Sequence, residues 1–207
     1  MRTKLLLSAA VLGVAGVIAA SAQVYSVNVV GYINVAVPPG FSMIANQLDS
    51  GNNTVGSLMP SVPELTVVYK FLGTAGYDIN TFEFGEWSNP AMTLNPGEGA
   101  FIFNQSGAAF NALFVGEVKQ GALSTPLVQG FQIVASQVPQ SGQLDTVLGF
   151  PAAETDVVSR FDNGANGYSI STYEFGEWDN PPTPAVGEAF FVKKAAAGTW
   201  VRNFSVN

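Results

Sequence analysis

Residues 77 to 87 read YDINTFEFGEW and residues 168 to 178 read YSISTYEFGEW, and Asn-Pro follows two residues after the tryptophan in both segments. The dipeptide Gly-Phe at residues 40–41 also returns at residues 130–131. The offset is therefore 90 or 91 residues along most of the chain. Self-similarity at a fixed period is typical of one structural unit that was copied, with copies that pack together. The sequence predicts a tandem duplication.

The first 22 residues have the features of a secretory signal peptide. Arg2 and Lys4 precede an uncharged apolar run, and residues 20–22 form an A-x-A cleavage motif. The apolar run is short for a retained membrane anchor, which needs roughly 20 apolar residues. We therefore expect an exported protein that begins at Gln23, resides in the periplasm, at the cell surface or outside the cell, and has no integral membrane segment after cleavage.

The composition excludes several classes of chemistry. The chain has no cysteine and no histidine, so it has no disulfides, no Ser-His-Asp triad, no thiol nucleophile and no His/Cys zinc site. The net charge is −7 and becomes more negative when the basic leader is removed. An acidic surface disfavours nucleic acid and anionic membranes as partners. We predict no cofactor and no nucleic-acid partner.

The local patterns are mostly those of β-strands. Alternating or β-branched runs bounded by turn residues occupy residues 27–37, 41–48, 66–72, 100–104, 112–118, 131–138, 156–161 and 189–193. The only stretches that favour a turn of helix are residues 54–59 and 144–148. We predict an all-β fold of two homologous small β-sandwich or barrel-like modules in tandem, with little helix beyond the signal peptide. The modules cover residues 23–118 and 119–207.

Repeated carboxylates are the first candidates for chemistry. Glu83 and Glu86 return as Glu174 and Glu177, and a glycosidase needs two carboxylates about 5 to 10 Å apart across a cleft. A glutamate beside Phe and Gly in a strand-turn unit can instead cap the turn or, like Glu98 and its counterpart Glu188, meet a basic residue. Because no pattern indicates a cleft, we predict no catalytic residue and no enzymatic activity.

Residues 162–167 read DNGANG. The side-chain oxygens of Asp and Asn are closely spaced in this segment, as they are in calcium-binding loops. The run lacks a closing acidic ligand, and Asn-Gly favours hairpin turns. A turn is therefore the preferred interpretation, and we predict no metal site.

Repeated aromatic residues are the second candidates. Tyr77, Trp87, Tyr168 and Trp178 could stack on sugar rings if they are exposed, or pack in a core if they are buried. Strict alternation along the strand puts Tyr77 and Trp87 on one face, unless the strand bends or turns at Gly85. The apolar surroundings of both tryptophans favour the core for these two rings.

Three segments carry a resemblance to a known group of proteins: GFSMIANQ at residues 40–47, the aromatic strand that ends at Trp87, and PGEGAFIF at residues 96–103. Together they resemble the modules of uncharacterised exported bacterial proteins, and they are more remotely similar to the G-W-N-L-I-S and G-x-G-Y-W repeats of bacterial cell-surface proteins. The second repeat departs from the pattern, because Ala189 replaces the second glycine. The resemblance brings no catalytic residues.

We therefore expect a non-enzymatic exported protein with a structural role at a surface or in a matrix, whose partners are other copies of itself or an extracellular polysaccharide. One alternative is a carbohydrate-binding module that uses exposed Trp or Tyr. A second alternative is a glycoside hydrolase-like enzyme that uses paired glutamates.

Overall fold

A computed structural model describes residues 29–206, so the predicted signal peptide lies outside the described residues. The described chain folds into strands with very little helix, which confirms the predicted all-β class. The strands are β1 (Val30–Val37), β2 (Gly40–Ile44), β3 (Val67–Phe71), β4 (Tyr77–Glu83), β5 (Glu86–Trp87), β6 (Ala100–Asn104), β7 (Phe110–Glu117), β8 (Gly121–Leu127), β9 (Gly130–Val134), β10 (Val157–Asp162), β11 (Gly167–Glu174), β12 (Glu177–Trp178), β13 (Phe190–Lys194) and β14 (Gly198–Phe204).

The strands form two pairs of sheets that fit the two predicted modules. The first half, residues 29–118, contains a five-stranded sheet in the order β2-β6-β3-β4-β5 and a two-stranded ribbon of β1 and β7. The second half, residues 119–206, repeats this order as β9-β13-β10-β11-β12, with a ribbon of β8 and β14. All of these pairings are antiparallel. Because β1 pairs with β7 and β14 with β8, the first and last described strands are already paired within their own halves.

Helix is limited to short turns in the described part of the chain. The predicted helical turn at residues 54–59 is observed as α1 (Val55–Leu58), and a single turn of 3-10 helix covers Gly73–Ala75. Residues 144–148 form a hydrogen-bonded turn instead of a helix. None of the helices within residues 29–206 is long and apolar enough to cross a membrane.

The part of each five-stranded sheet that faces the other half is buried on both faces, because alternate residues there point to different cores. In the first half, Ile44 and Ile102 pack in a core shared with Phe114 of the ribbon, whereas their neighbours Met43 and Phe101 point the other way. The second half has its own core beneath its ribbon. The outward faces of the two sheets meet in a third cluster, which contains Met43, Ala45, Phe101, Ile133, Ala135 and Ala189. The repeated strand β4 is different, because its face that bears Tyr77 and Ile79 is apolar but exposed.

The contacts between the halves are reciprocal. The backbone N–H of Ala45 donates to the carbonyl of Gly187 at 2.8 Å, and the N–H of Ala135 donates to the carbonyl of Gly97 at 3.1 Å. Ala45 and Ala135 are 90 residues apart, as are Gly97 and Gly187. The two halves are therefore related by an approximate two-fold axis that passes between the sheets.

The repeated aromatic segment is a hairpin, not one continuous strand. β4 and β5 pair across a two-residue turn at Phe84 and Gly85, and Phe82 lies directly opposite Trp87. The rings of Phe82 and Trp87 meet edge to face, with centroids 5.3 Å apart. Strict alternation would have placed Trp87 on the same face as Tyr77, but the alternative of a turn at Gly85 is the one observed, and it reverses the chain before the tryptophan.

Candidate functional site

A cavity of about 350 Å³ lies between the two halves and is lined entirely by aromatic side chains. We call it the aromatic cavity, and its lining residues are Phe41, Tyr69, Tyr77, Phe101, Phe161 and Tyr168. Four of them come from the first half and two from the second. The repeated segments begin with tyrosine, so the approximate two-fold axis brings Tyr77 and Tyr168 together at one site. The two tyrosines are 43% and 46% exposed and are accessible to a ligand.

Ring contacts hold the walls of the aromatic cavity in place. Phe41 packs against Phe103 with centroids 4.4 Å apart and against Tyr69 at 5.9 Å. Phe101 of the first half meets Phe161 of the second half edge to face at 5.6 Å. Edge-to-face and offset contacts are the favoured arrangements of aromatic rings. The shape of the cavity therefore depends on the packing between the halves.

The aromatic cavity carries no charge at neutral pH. None of its six lining residues is acidic or basic. Burial raises the pKa of Tyr77, and burial together with the nearby Tyr77 raises the pKa of Tyr168. Both phenols thus remain protonated, since the ordinary tyrosine pKa is already about 10. The cavity suits an uncharged, largely apolar group.

A polar loop of the second half closes one side of the junction. The Asn163 side chain donates to the carbonyls of Pro39 and Phe41 at 3.0 and 2.7 Å. Asp162 accepts hydrogen bonds from the backbone N–H groups of Gly164 and Ala165. The DNGANG segment is thus a turn that pins the two halves together. Within residues 29–206, no group of three or more acidic side chains could hold a metal ion.

Trp87 and Trp178 do not form binding platforms. They are only 4% and 5% exposed, and each belongs to the core of its own half. The indole N–H of Trp87 donates to the carbonyl of Met59 at 2.7 Å. The burial of both rings agrees with the preferred assignment of the two tryptophans to the core, and neither ring is exposed to stack on a sugar.

Two phenylalanines project into solvent at the ends of the repeated hairpins. Phe84 and Phe175, which we call the tip phenylalanines, are each 96% exposed. Their φ angles are +56° and +58°, and the glycines that follow have φ of +81° and +83°. Positive φ at both central residues defines the type I′ turn, which normally uses Asn-Gly. A bulky residue in this region costs about 1–2 kcal/mol.

A glutamate holds each tip in place. The carboxylate of Glu64 accepts the N–H groups of Phe84 and Gly85 at 2.9 and 3.0 Å, one on each oxygen. Glu154 accepts the N–H groups of Phe175 and Gly176 in the same way, at 3.0 and 2.8 Å. A carboxylate that receives two backbone N–H groups forms charge-assisted bonds of high geometric specificity. The strained tips are therefore positioned by the same device in both halves.

The candidate catalytic carboxylates lie beside the tips and outside the aromatic cavity. Glu83 pairs directly across the hairpin with Glu86, Glu174 pairs with Glu177, and all four side chains are exposed. Each pair sits on a single solvent-facing hairpin, whereas a glycosidase places its carboxylates on opposite sides of a cleft. The arrangement makes the tips acidic and does not assemble a hydrolytic pair.

Glu98 and Glu188 both have structural roles. Glu98 forms an ion pair with Lys70 at 3.0 Å and accepts the N–H of Asn95 at 2.7 Å. Glu188 binds Arg160 through both carboxylate oxygens and accepts the N–H of Ala185. These glutamates close the turns that carry the reciprocal contacts between the halves.

The sequence patterns did not indicate the tip phenylalanines or most of the residues that line the aromatic cavity. The Phe-Gly pair that occurs in both repeats is a signal that could have indicated the tips. A turn of this kind does not require phenylalanine, so its presence in both repeats points to another role. The cavity residues Phe41, Tyr69, Phe101 and Phe161 belong to four different strands, and local patterns do not show which strands meet. Comparisons of the chain with protein-family models, with curated proteins and with solved structures found no match.

Proposed function

We propose that the chain is an exported, non-enzymatic structural component of a surface or matrix, which associates through its tip phenylalanines. The observation that carries this proposal is the presence, in both halves, of a fully exposed phenylalanine on a strained and clamped turn. Neither ring belongs to a core, so the fold gains little from it. Residues held in strained conformations by their surroundings are often found at functional sites.

The tips have the properties of contact anchors. Aromatic side chains are enriched at the energetic centres of protein interfaces, and an anchor that is already positioned loses little conformational entropy when it binds. Glu64 and Glu154 supply this positioning through their bonds to the turn backbone. The tips therefore favour a partner that offers an apolar pocket.

The surroundings of the tips argue against two other kinds of partner. Glu83, Glu86, Glu174 and Glu177 flank the rings and repel an anionic membrane surface. A polysaccharide needs neighbouring polar groups to pair with its hydroxyls, because unpaired polar groups are costly to bury. The aromatic cavity offers only tyrosine hydroxyls. Carbohydrate binding is consequently the weaker candidate, and the paired glutamates give a hydrolase no cleft.

Replacing both tip phenylalanines by asparagine should separate association from folding. We expect the Phe84→Asn/Phe175→Asn variant to be as stable as the wild-type protein or up to about 1 kcal/mol per site more stable, because asparagine tolerates positive φ. We also expect it to remain monomeric at concentrations at which the mature wild-type protein, beginning at Gln23, associates. Urea unfolding measures the first effect, and sedimentation velocity over a concentration series measures the second.

A matched control removes the same number of exposed apolar groups elsewhere. Val115 and Val201 are exposed on β7 and β14, and Val115→Thr/Val201→Thr keeps a β-branched side chain at both positions. This control should associate like the wild-type protein. Monomeric wild-type protein at every concentration would overturn the proposed function, as would undiminished association of the asparagine variant.

A further inference from the structure

We propose that a tip phenylalanine of one copy inserts into the aromatic cavity of another copy. This inference rests on the proposed function and deepens it by naming the partner and its receiving site. The occupant is thus a second molecule of the same chain, and the inserted group is the benzyl side chain of Phe84 or Phe175.

The cavity matches this group in chemistry and size. Its walls are six aromatic residues without a charge, and its volume of about 350 Å³ has room for a single phenyl ring. The two half-exposed tyrosines, Tyr77 and Tyr168, leave an opening on the surface. An incoming ring can make edge-to-face contacts with the walls of the kind that already join Phe101 and Phe161.

The positions of tip and cavity require the contact to be intermolecular. Tyr77 begins β4 at the cavity, and Phe84 follows the other end of the same strand. A strand rises about 3.3 Å per residue, so the tip lies roughly 20 Å away from the cavity. A protruding group and its receiving pocket at different places on one molecule form a heterologous contact, which propagates into open assemblies unless it closes into a ring.

Each copy has one aromatic cavity and two tips, one on each half. A chain can therefore accept one tip there and donate up to two tips to its neighbours. This stoichiometry permits branched as well as linear assemblies. Because tips outnumber cavities two to one, the number of free cavities limits the growth of an assembly.

The charges predict how association responds to salt. The tips carry glutamates and the whole chain has a net charge of −7, so two copies repel each other as a tip approaches. Added salt screens this repulsion between copies, because the Debye length is about 10 Å at 0.1 M salt and becomes shorter as the salt concentration rises. Association through ring insertion should strengthen as sodium chloride is raised from about 0.05 to 0.5 M, whereas contacts made by ion pairs would weaken.

The decisive experiment mixes two variants with complementary defects. The tip variant is Phe84→Asn/Phe175→Asn, which keeps the cavity. The cavity variant is Tyr77→Thr/Tyr168→Thr, which keeps both tips and removes two walls at exposed β-strand positions. Val115→Thr/Val201→Thr controls for the change to threonine, and Tyr168→Thr alone serves if the double cavity variant does not fold.

We expect each variant to associate at least about tenfold more weakly than the wild-type protein when it is alone. When the two are mixed, the cavity variant should bind up to two copies of the tip variant and form no larger species. Sedimentation velocity at about 10 μM to 1 mM covers the range expected for a contact with a single small anchor. Circular dichroism shows whether each variant is folded.

The other outcomes distinguish the two proposals. If the cavity variant associates like the wild-type protein while the tip variant does not, the cavity is not the receiving site and this inference fails, but the proposed function stands. Failure of two folded variants to form a complex when mixed would also overturn insertion. If the tip variant associates normally, or if the wild-type protein is monomeric, both proposals fail.

Discussion

Gly99 and Ala189 occupy equivalent positions in the two repeats and face each other between the halves. A Cβ atom added to Gly99 would lie 2.3 Å from the Cβ of Ala189 and 2.7 Å from a methyl carbon of Ile133. The space near the approximate two-fold axis therefore has room for only one Cβ atom. Alanine in both repeats would place two Cβ atoms there. Alanine at position 189 is compatible with the fold because residue 99 is glycine.

The substitution Gly99→Ala should destabilise the protein, because it overpacks a site whose neighbours are a backbone-attached methyl group and a branched side chain. Overpacking of this kind costs about 1–3 kcal/mol. Adding Ala189→Gly should recover part of the loss, although the clash with Ile133 remains. A double-mutant cycle on the free energy of unfolding checks this prediction. Additive effects of the two substitutions would contradict the proposed steric coupling.

The aromatic residues of the site show what a local sequence pattern can establish about the placement of a single side chain. The repeat pointed to Tyr77 and Tyr168 as candidates but left their exposure open, and both are partly exposed in the structure. The face of Trp87 was left to depend on whether the chain turns at Gly85, and the observed turn puts this ring on the face of Phe82. The same turn exposes Phe84, which alternation alone assigned to the face opposite the tyrosine. Which aromatic ring reaches solvent depends on where the hairpin turns.

The second half has an ion pair between the residue that precedes β10 and the last residue of β13, where the first half uses neutral groups. Lys194 contacts the carboxylate of Asp156 and donates to the carbonyl of Pro151 at 2.8 Å, and both residues are buried. Asp156 also accepts the N–H groups of Ala153 and Ala195, each at 2.9 Å. The equivalent residues of the first half, 90 positions earlier, are Thr66 and Asn104.

The two neutral residues satisfy the backbone with direct hydrogen bonds. The Thr66 hydroxyl donates to the carbonyl of Pro63 at 2.7 Å, which is the counterpart of the turn that Asp156 closes. The Asn104 side chain donates to the carbonyls of Val37 and Ala108. This pair of positions in the fold thus accepts either an ion pair or two neutral polar side chains.

We predict that Lys194→Asn alone will cost about 3–5 kcal/mol, because it leaves the buried carboxylate without its cation. The double variant Asp156→Thr/Lys194→Asn reproduces the pair of the first half and should lose far less stability, because no buried charge remains. Urea unfolding of the two variants measures the difference. Equal losses for the single and double variants would show that local packing, and not the unpaired charge, determines the cost.

The third cluster of buried residues joins the halves into one molecule. Met43 and Phe101 of the first half, and Ile133 and Ala189 of the second, are buried only because the outward faces of the two sheets meet. Separation of the halves would expose this apolar surface and break the reciprocal hydrogen bonds of Ala45 and Ala135. Each half therefore depends on the other for part of its burial.

Expression of the halves as separate chains, residues 23–118 and 119–207, tests this dependence. We expect each half alone to be aggregated or to unfold without cooperativity, and we expect the two halves to purify as a 1:1 complex when they are produced together. Size-exclusion chromatography and thermal unfolding give the readouts. A monomeric first half that unfolds cooperatively at a temperature near that of the whole protein would contradict the prediction.

The β class and the run of short strands followed from features that are local in the chain: β-branched and alternating runs, turn residues and a repeat of 90 or 91 residues. Such features report the preferences of a few neighbouring residues, and these preferences are strong when every strand has them. The boundaries of β3 and β10 moved by only one residue, whereas β8 was not predicted and the short strands β5 and β12 emerged from the hairpin turns.

The functional features depend on contacts between residues far apart in the chain. The aromatic cavity forms because two sheets pack face to face and bring the starts of β4 and β11 together. The tips are exposed because each turn ends beyond the core and is held by a glutamate about 20 residues earlier, Glu64 or Glu154. Burial and exposure are set by the partners that a side chain meets after folding, and the alternation of polar and apolar residues does not identify those partners when a sheet is covered on both faces.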